Sequence, residues 1–218
     1  MPIRGPHIGP AQRIRIGETV LACARGVDTH LVKDRLARFR REHRRYVAAQ
    51  RQVAAVGAEL RAAQARLAAC GRAQDQALDR LADEAWAEGP RARNPFRRFG
   101  MPAPSRIARL PYADEVVAVR ELVAAIRRVP RVDVRTVRAA VRAVAAASDV
   151  ETALRRVAEI DARARDARTT RDALKLDWHA AYMALQRGAR TAADDGAPHL
   201  HARLFAAHAP GGAKRRAE

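Results

Sequence analysis

Apolar residues recur every seven positions between residues 29 and 88, and this spacing predicts one long helix. The first row of the repeat, interrupted by Gln74, contains Val32, Phe39, Tyr46, Val53, Leu60, Leu67 and Leu81. A second row, three residues later, contains Ala49, Val56, Ala63, Cys70 and Ala77. Two apolar rows at this spacing form the contact seam of helices that pack as in a coiled coil. We expect any break in the helix to fall at Gly71, because glycine weakens a helix interior.

Proline and glycine mark the parts of the chain that we expect to be irregular. They predict an irregular N-terminal segment over residues 1–27 and a Pro/Arg-rich loop over residues 89–111. We expect residues 209–218 to form a disordered tail.

Helical patterns resume after this loop. A first helix is expected between Pro111 and Pro130, and a second begins at the capping residue Asp133. Valine spacing predicts that the core face of the second helix contains Val134, Val137, Val141 and Val144. The outward stripe then contains Arg135, Arg138 and Arg142. Ser148 and Glu151 have the spacing of a capping box, which predicts that a third, longer helix starts there and runs to about residue 190.

The helix lengths predict an all-α fold, an elongated antiparallel three- or four-helix bundle with coiled-coil-like packing over residues 28–208. Aromatic residues make up 4% of the chain and alanine dominates its apolar positions, which favours closely approaching helices over a wide core. Strand-like alternation is nearly absent, so a sheet-based fold is disfavoured.

Two observations bear on the compartment. No segment has the ~20 consecutive apolar residues that span a bilayer, so we expect no membrane association. Cys23 and Cys70 are far apart in sequence and form no disulfide framework, which favours reduced thiols and a cytoplasmic location.

The net charge of +18 makes polyanions natural partners to consider. In the first long helix, arginines cluster at Arg38, Arg41, Arg44 and Arg45. In the loop, arginines alternate with aromatic residues at Arg91, Arg93, Phe96, Arg97, Arg98 and Phe99. Charge for phosphates and rings for stacking are what single-stranded nucleic acid binding uses. The alternatives are a solvated helix face for the first group and phenylalanines that pack the loop onto the bundle for the second.

Catalytic and metal-binding patterns are sparse. No glutamate is followed three residues later by histidine, as a di-metal bundle would require, and no Gly-rich phosphate loop occurs. The one histidine grouping near ligand spacing is His199, His201 and His208, which we interpret as a polar helix face. We therefore expect no catalytic, metal or cofactor site.

These observations favour a non-enzymatic helical-bundle structural or protein-interaction module, with an unknown protein or a second copy of the chain as partner. The alternative is an Arg-rich polyanion-binding protein, for DNA or RNA, of nucleoid-associated type. An even spread of charge would favour the first hypothesis, and a concentration on one surface the second.

Overall fold

The computed structural model describes residues 8–88 and 93–205, and every regular element within them is helical. The helices are α1 (Pro10–Cys23), α2 (Lys33–Glu88), α3 (Pro104–Ile107), α4 (Tyr112–Arg128), α5 (Val134–Thr191) and α6 (Leu200–Phe205). The prediction of an all-α helical bundle is confirmed. Among these helices, none is both long and apolar enough to cross a bilayer. The tail expected over residues 209–218 lies outside the described residues.

The residues expected to form the helical bundle, 28–208, are shared between two compact units. Among the described residues, those up to Ala55 and those from Arg165 onward form the first unit, and those between Val56 and Ala164 form the second. Because α2 and α5 are long, each contributes to both units. Within the first unit, Gln50 of α2 accepts a hydrogen bond from Arg171 of α5 at 3.1 Å.

The first unit contains a helix where we expected an irregular segment. Residues 10–23 form α1, so the expectation for residues 1–27 is wrong over this stretch. Pro10 is compatible with this helix because it occupies the first turn, where its missing N–H is not needed. Ile16 and Val20, four residues apart, point into one core. That core also contains Phe39 and Tyr46 of α2, Trp178 and Leu185 of α5, and Leu204 and Phe205 of α6.

The second unit packs the later part of α2 and the earlier part of α5 with α4 and the preceding loop. Its buried side chains include Leu78, Leu81, Phe96, Phe99, Ile107, Val119, Leu122 and Ile126. Of the loop expected over residues 89–111, residues 89–92 lie outside the described residues. The remainder has local order, since Arg97–Phe99 forms a single 3₁₀ turn and Pro104–Ile107 forms α3.

The long helices continue through two positions at which the sequence suggested an interruption. Ser148 lies inside the uninterrupted α5, so the predicted capping box is wrong. Its hydroxyl donates a hydrogen bond to the carbonyl oxygen of Val144 at 3.0 Å, so the hydroxyl has a partner although it lies within the helix. Gly71 does not break α2. It is buried against Tyr112 of α4, and a Cβ placed on it would lie 2.5 Å from the tyrosine ring.

We predict opposite effects for alanine at the two glycines inside α2. Gly57→Ala should raise the free energy of unfolding by about 0.5–1 kcal/mol, because alanine favours the helix and its Cβ would meet only Arg61 at 3.8 Å. Gly71→Ala should lower it by about 1–3 kcal/mol, because the Tyr112 ring must move. Urea unfolding followed by circular dichroism measures both values.

The double variant Gly71→Ala/Tyr112→Ser removes the obstructing ring and serves as the control. Relative to Tyr112→Ser alone, Gly71→Ala should no longer destabilise the protein. Equal stabilisation by alanine at both glycines would show that Tyr112 does not require the absence of a Cβ.

Candidate functional site

The first turns of α5 carry an apolar stripe on the side that faces solvent. Val134, Val137 and Val141 are 59%, 41% and 53% exposed, so the expectation that they form the core face is wrong. The buried face of this part of α5 contains instead Thr136, Ala139, Ala140, Ala143 and Ala147. Alanine and valine positions here have the same helical spacing, and the small side chains occupy the interior.

An arginine follows each exposed valine. Arg135, Arg138 and Arg142 are all exposed, as we expected for the outward stripe. We call these six residues the Val–Arg surface: Val134, Arg135, Val137, Arg138, Val141 and Arg142. Both residue types stand at positions i, i+3 and i+7 of one helix, so they form two neighbouring rows that run along its axis.

Glu88, the last residue of α2, holds the start of α5 in place. One of its carboxylate oxygens accepts a hydrogen bond from the backbone N–H of Asp133 at 2.8 Å. The other accepts from the Thr136 hydroxyl at 2.8 Å and from Arg98 at 2.6 Å. Burial alone would raise the pKa of Glu88, but these hydrogen bonds and the Arg98 charge outweigh it and lower the pKa. One carboxylate therefore connects α2, the loop and the first turn of α5.

Asp133 caps α5, as the sequence predicts. Its carboxylate accepts a hydrogen bond from the backbone N–H of Arg135 at 2.7 Å. This hydrogen bond is the main reason that the pKa of Asp133 is lowered. The cap and the Glu88 hydrogen bonds together fix the helix that presents the Val–Arg surface.

A groove of about 310 Å³ lies between α2 and α5 beside the arginine row. It is lined by Ala77, Arg80, Asp83, Glu84, Arg135, Arg138, Ala139 and Arg142. Arg135 lies 3.5 Å from Asp133 and 4.0 Å from Glu84. In the described part of the chain, Arg80, Arg138 and Arg142 form no ion pair. The lining holds four arginines and two carboxylates, so the groove has an excess of positive charge that an external anion could neutralise.

The arginine cluster of the first long helix, which we considered as a polyanion-binding group, belongs to the first unit. A carboxylate neutralises two of its four members. Arg38, Arg41, Arg44 and Arg45 are exposed. Arg41 and Arg45 both bond the buried carboxylate of Glu42, at 3.1 and 2.7 Å. Burial would raise the pKa of Glu42, but the two arginines lower it. Within residues 8–88 and 93–205, Arg38 and Arg44 form no ion pair.

The loop does not present rings for base stacking. Phe96 is fully buried and Phe99 is 7% exposed, so both pack into the core of the second unit. Neither ring is therefore exposed for base stacking, and both pack as the alternative interpretation describes. Arg93 and Arg97 are exposed, whereas Arg98 pairs with Glu88 and covers the Phe99 ring. Arg91 lies outside the described residues.

The C-terminal histidines do not converge within the described residues. Nε2 of His201 lies 3.2 Å from Nε of Arg190, and its ring stacks on Phe205. His208 lies outside the described residues. No group of three or more His, Cys, Asp or Glu side chains that could hold a metal ion occurs over residues 8–88 and 93–205.

A buried polar pair lies inside the second unit. Gln74 is fully buried and Glu115 is 2% exposed, and each has side-chain atoms without a hydrogen-bond partner. Burial is the main reason that the pKa of Glu115 is raised, and the nearby Asp75 charge raises it further. Gln74 is the residue that interrupts the apolar seam of α2. This interruption is the one feature of the sequence that indicates a buried polar group here. Glu115 lies in the first turn of α4, and no local pattern in the sequence indicates its burial.

The first unit contains a buried histidine in an aromatic cluster. Trp178 donates its indole N–H to Nδ1 of His43 at 3.2 Å, and the His43 ring lies against Gly17. Burial lowers the pKa of His43 and favours the neutral ring. This environment, together with the Phe39 and Tyr182 rings, makes the cluster part of the core.

Comparisons with protein-family models, curated proteins and solved structures find no match for this chain.

We predict that Glu115→Gln stabilises the protein at neutral pH and has little effect at pH 4. The folded state holds this carboxyl protonated above the pH at which the unfolded chain ionises it. The contribution of Glu115 to stability is therefore fully present below its ordinary pKa of 4.5 and is lost as the pH rises toward the folded-state value. Removing this titration should therefore raise the free energy of unfolding at pH 7.5 and leave it nearly unchanged at pH 4.

Urea unfolding of both proteins at pH 4 and pH 7.5 measures this difference. Glu121→Gln, which alters an exposed carboxylate on the same helix, is the matched control and should show no such pH dependence. The same stabilisation of Glu115→Gln at both pH values would contradict a raised pKa at this carboxyl.

Proposed function

We propose that this chain is a non-enzymatic protein-interaction module that binds a protein partner through the Val–Arg surface. The observation that carries the proposal is the exposure of Val134, Val137 and Val141 along one helix. A row of apolar side chains at this spacing is the pattern by which one helix receives another. Such rows on a protein surface commonly mark binding sites.

Helix formation alone gives no reason for valine at these positions. Valine has a lower helix propensity than alanine, and the chain uses alanine freely elsewhere in the same helix. Packing within the unit does not require the valines either, since alanines fill the buried face of this part of α5. Contact with a partner would explain why valines occupy these exposed positions. The free thiols of Cys23 and Cys70 support a cytoplasmic setting for this interaction.

Polyanion binding is the second candidate, favoured by the groove. Arg80, Arg138 and Arg142 have no carboxylate partner among the described residues, and the chain carries a net charge of +18. Guanidinium groups that neutralise phosphates release counterions and thereby drive binding. This function would use the arginine row and leave the valine row without a role.

A photo-crosslinking amino acid at position 137 tests the proposal. In extracts of the source cells, we expect it to capture a protein, which mass spectrometry then identifies. The same amino acid in place of Val117, a valine of α4 that is 53% exposed, is the matched control and should not capture this protein.

The captured protein is then purified and titrated with the unmodified chain. The triple variant Val134→Ser/Val137→Ser/Val141→Ser should bind it at least tenfold more weakly, with an unchanged helical circular dichroism spectrum. Equal capture at positions 117 and 137, or unaltered affinity of the triple variant, would contradict the proposal.

A further inference from the structure

We infer that the partner segment is an acidic amphipathic helix that lies along α5, with apolar side chains on the valine row and carboxylates on the arginine row. This inference rests on the proposed function and specifies the chemistry of the partner. Three features of the second unit carry it: the spacing of the two rows, the charge of the groove and the position of the loop phenylalanines.

The spacing of the rows matches one helical segment. Val134 and Val141 are seven residues apart, so the valine row extends about 10 Å along the helix axis. A partner helix with apolar residues at i, i+3 and i+7 covers this distance in two turns. Since Arg135, Arg138 and Arg142 repeat at the same interval, a carboxylate row beside the partner's apolar row would follow the arginine row throughout.

The groove favours negative charge in the partner. Asp133 and Glu84 already neutralise part of the Arg135 charge. Arg80, Arg138 and Arg142 form no ion pair in the described part of the chain, and they outnumber Asp83, the other carboxylate of the groove lining. Guanidinium groups bind carboxylates through paired hydrogen bonds, and exclusion of water by the neighbouring valines would strengthen these bonds.

A second copy of this chain is a poor occupant of the same surface. In a symmetric dimer built on this face, the residues that meet the arginine row come from the same surface. Arg138 and Arg142 of one copy would then approach the like charges of the other, which costs affinity. A partner with acidic residues at those positions removes this repulsion.

Nucleic acid also fits the surface less well than an acidic helix. Phosphates would satisfy the arginines but would leave Val137 and Val141 without an apolar contact. The rings that might stack on bases, Phe96 and Phe99, are buried in the core. The valine row therefore favours an amphipathic peptide over a polyanion as the ligand of this surface.

Three fluorescent probes test the inference by anisotropy with the full chain. The first is a designed helical peptide of about 16 residues with leucines at i, i+3 and i+7 and glutamates beside them. The second replaces those glutamates with lysines, and the third is a single-stranded DNA of about 20 nucleotides. We expect the acidic peptide to bind with a Kd of about 10 µM or tighter and the basic peptide to bind at least tenfold more weakly.

Two double variants separate the contributions of the rows. Val137→Ser/Val141→Ser should weaken binding of the acidic peptide about tenfold and leave binding of the DNA unchanged. Arg138→Ala/Arg142→Ala should weaken peptide binding about tenfold and reduce its dependence on salt. Arg106→Ala/Arg109→Ala removes the same charge from exposed positions elsewhere in this unit and should leave peptide affinity within about twofold.

The outcomes distinguish the inference from the proposed function. If crosslinking at position 137 identifies a protein partner but the acidic peptide binds no better than the basic one, the inference is wrong and the proposed function stands. If the acidic peptide does not bind, position 137 captures no protein and DNA binds through Arg138 and Arg142, both are wrong and polyanion binding replaces them. Peptide binding that is indifferent to the valine substitutions also overturns the inference.

Discussion

The second unit depends on close packing at the alanine face of α5. Ala139, Ala140, Ala143 and Ala147 are all buried there, and their small side chains let neighbouring helix backbones approach. Bulkier side chains at these positions would hold the helices apart, so the valines of the same turns lie outside. The surface that we propose as the partner site is thus a consequence of how the core is filled.

The long seam of α2 could be predicted from sequence, because large apolar residues at seven-residue intervals leave little choice of inward face. Phe39 and Tyr46 are buried as this pattern requires, and Gln74 is buried with them although it interrupts the apolar row. The start of α5 could not be predicted in this way. Alanine and valine rows offer two alternative inward faces, and the larger residues are the usual choice. Which of the two rows is buried depends on the distance between the axes of packed helices. The sequence of a single helix does not determine this distance.

The candidate site, like the fold, could be predicted only in part from the sequence. An outward arginine row on α5 and a cap at Asp133 follow from local spacing. The hydrogen bonds from Arg98 and Thr136 to Glu88 do not, because their partners are distant in sequence. Likewise, Phe96 and Phe99 support either stacking or packing until the rest of the unit shows a core that accepts them.

The separation of buried and exposed positions on α5 also affects how such a protein can change during evolution. Buried residues such as Ala143, and exposed residues such as Val137 that we propose to face a partner, occupy separate positions of one helix. Substitutions at the outer positions can alter the choice of partner with little cost to folding. If the proposal holds, a lineage can exchange one binding specificity for another through single surface changes, while selection for a stable fold acts on the buried positions of α5.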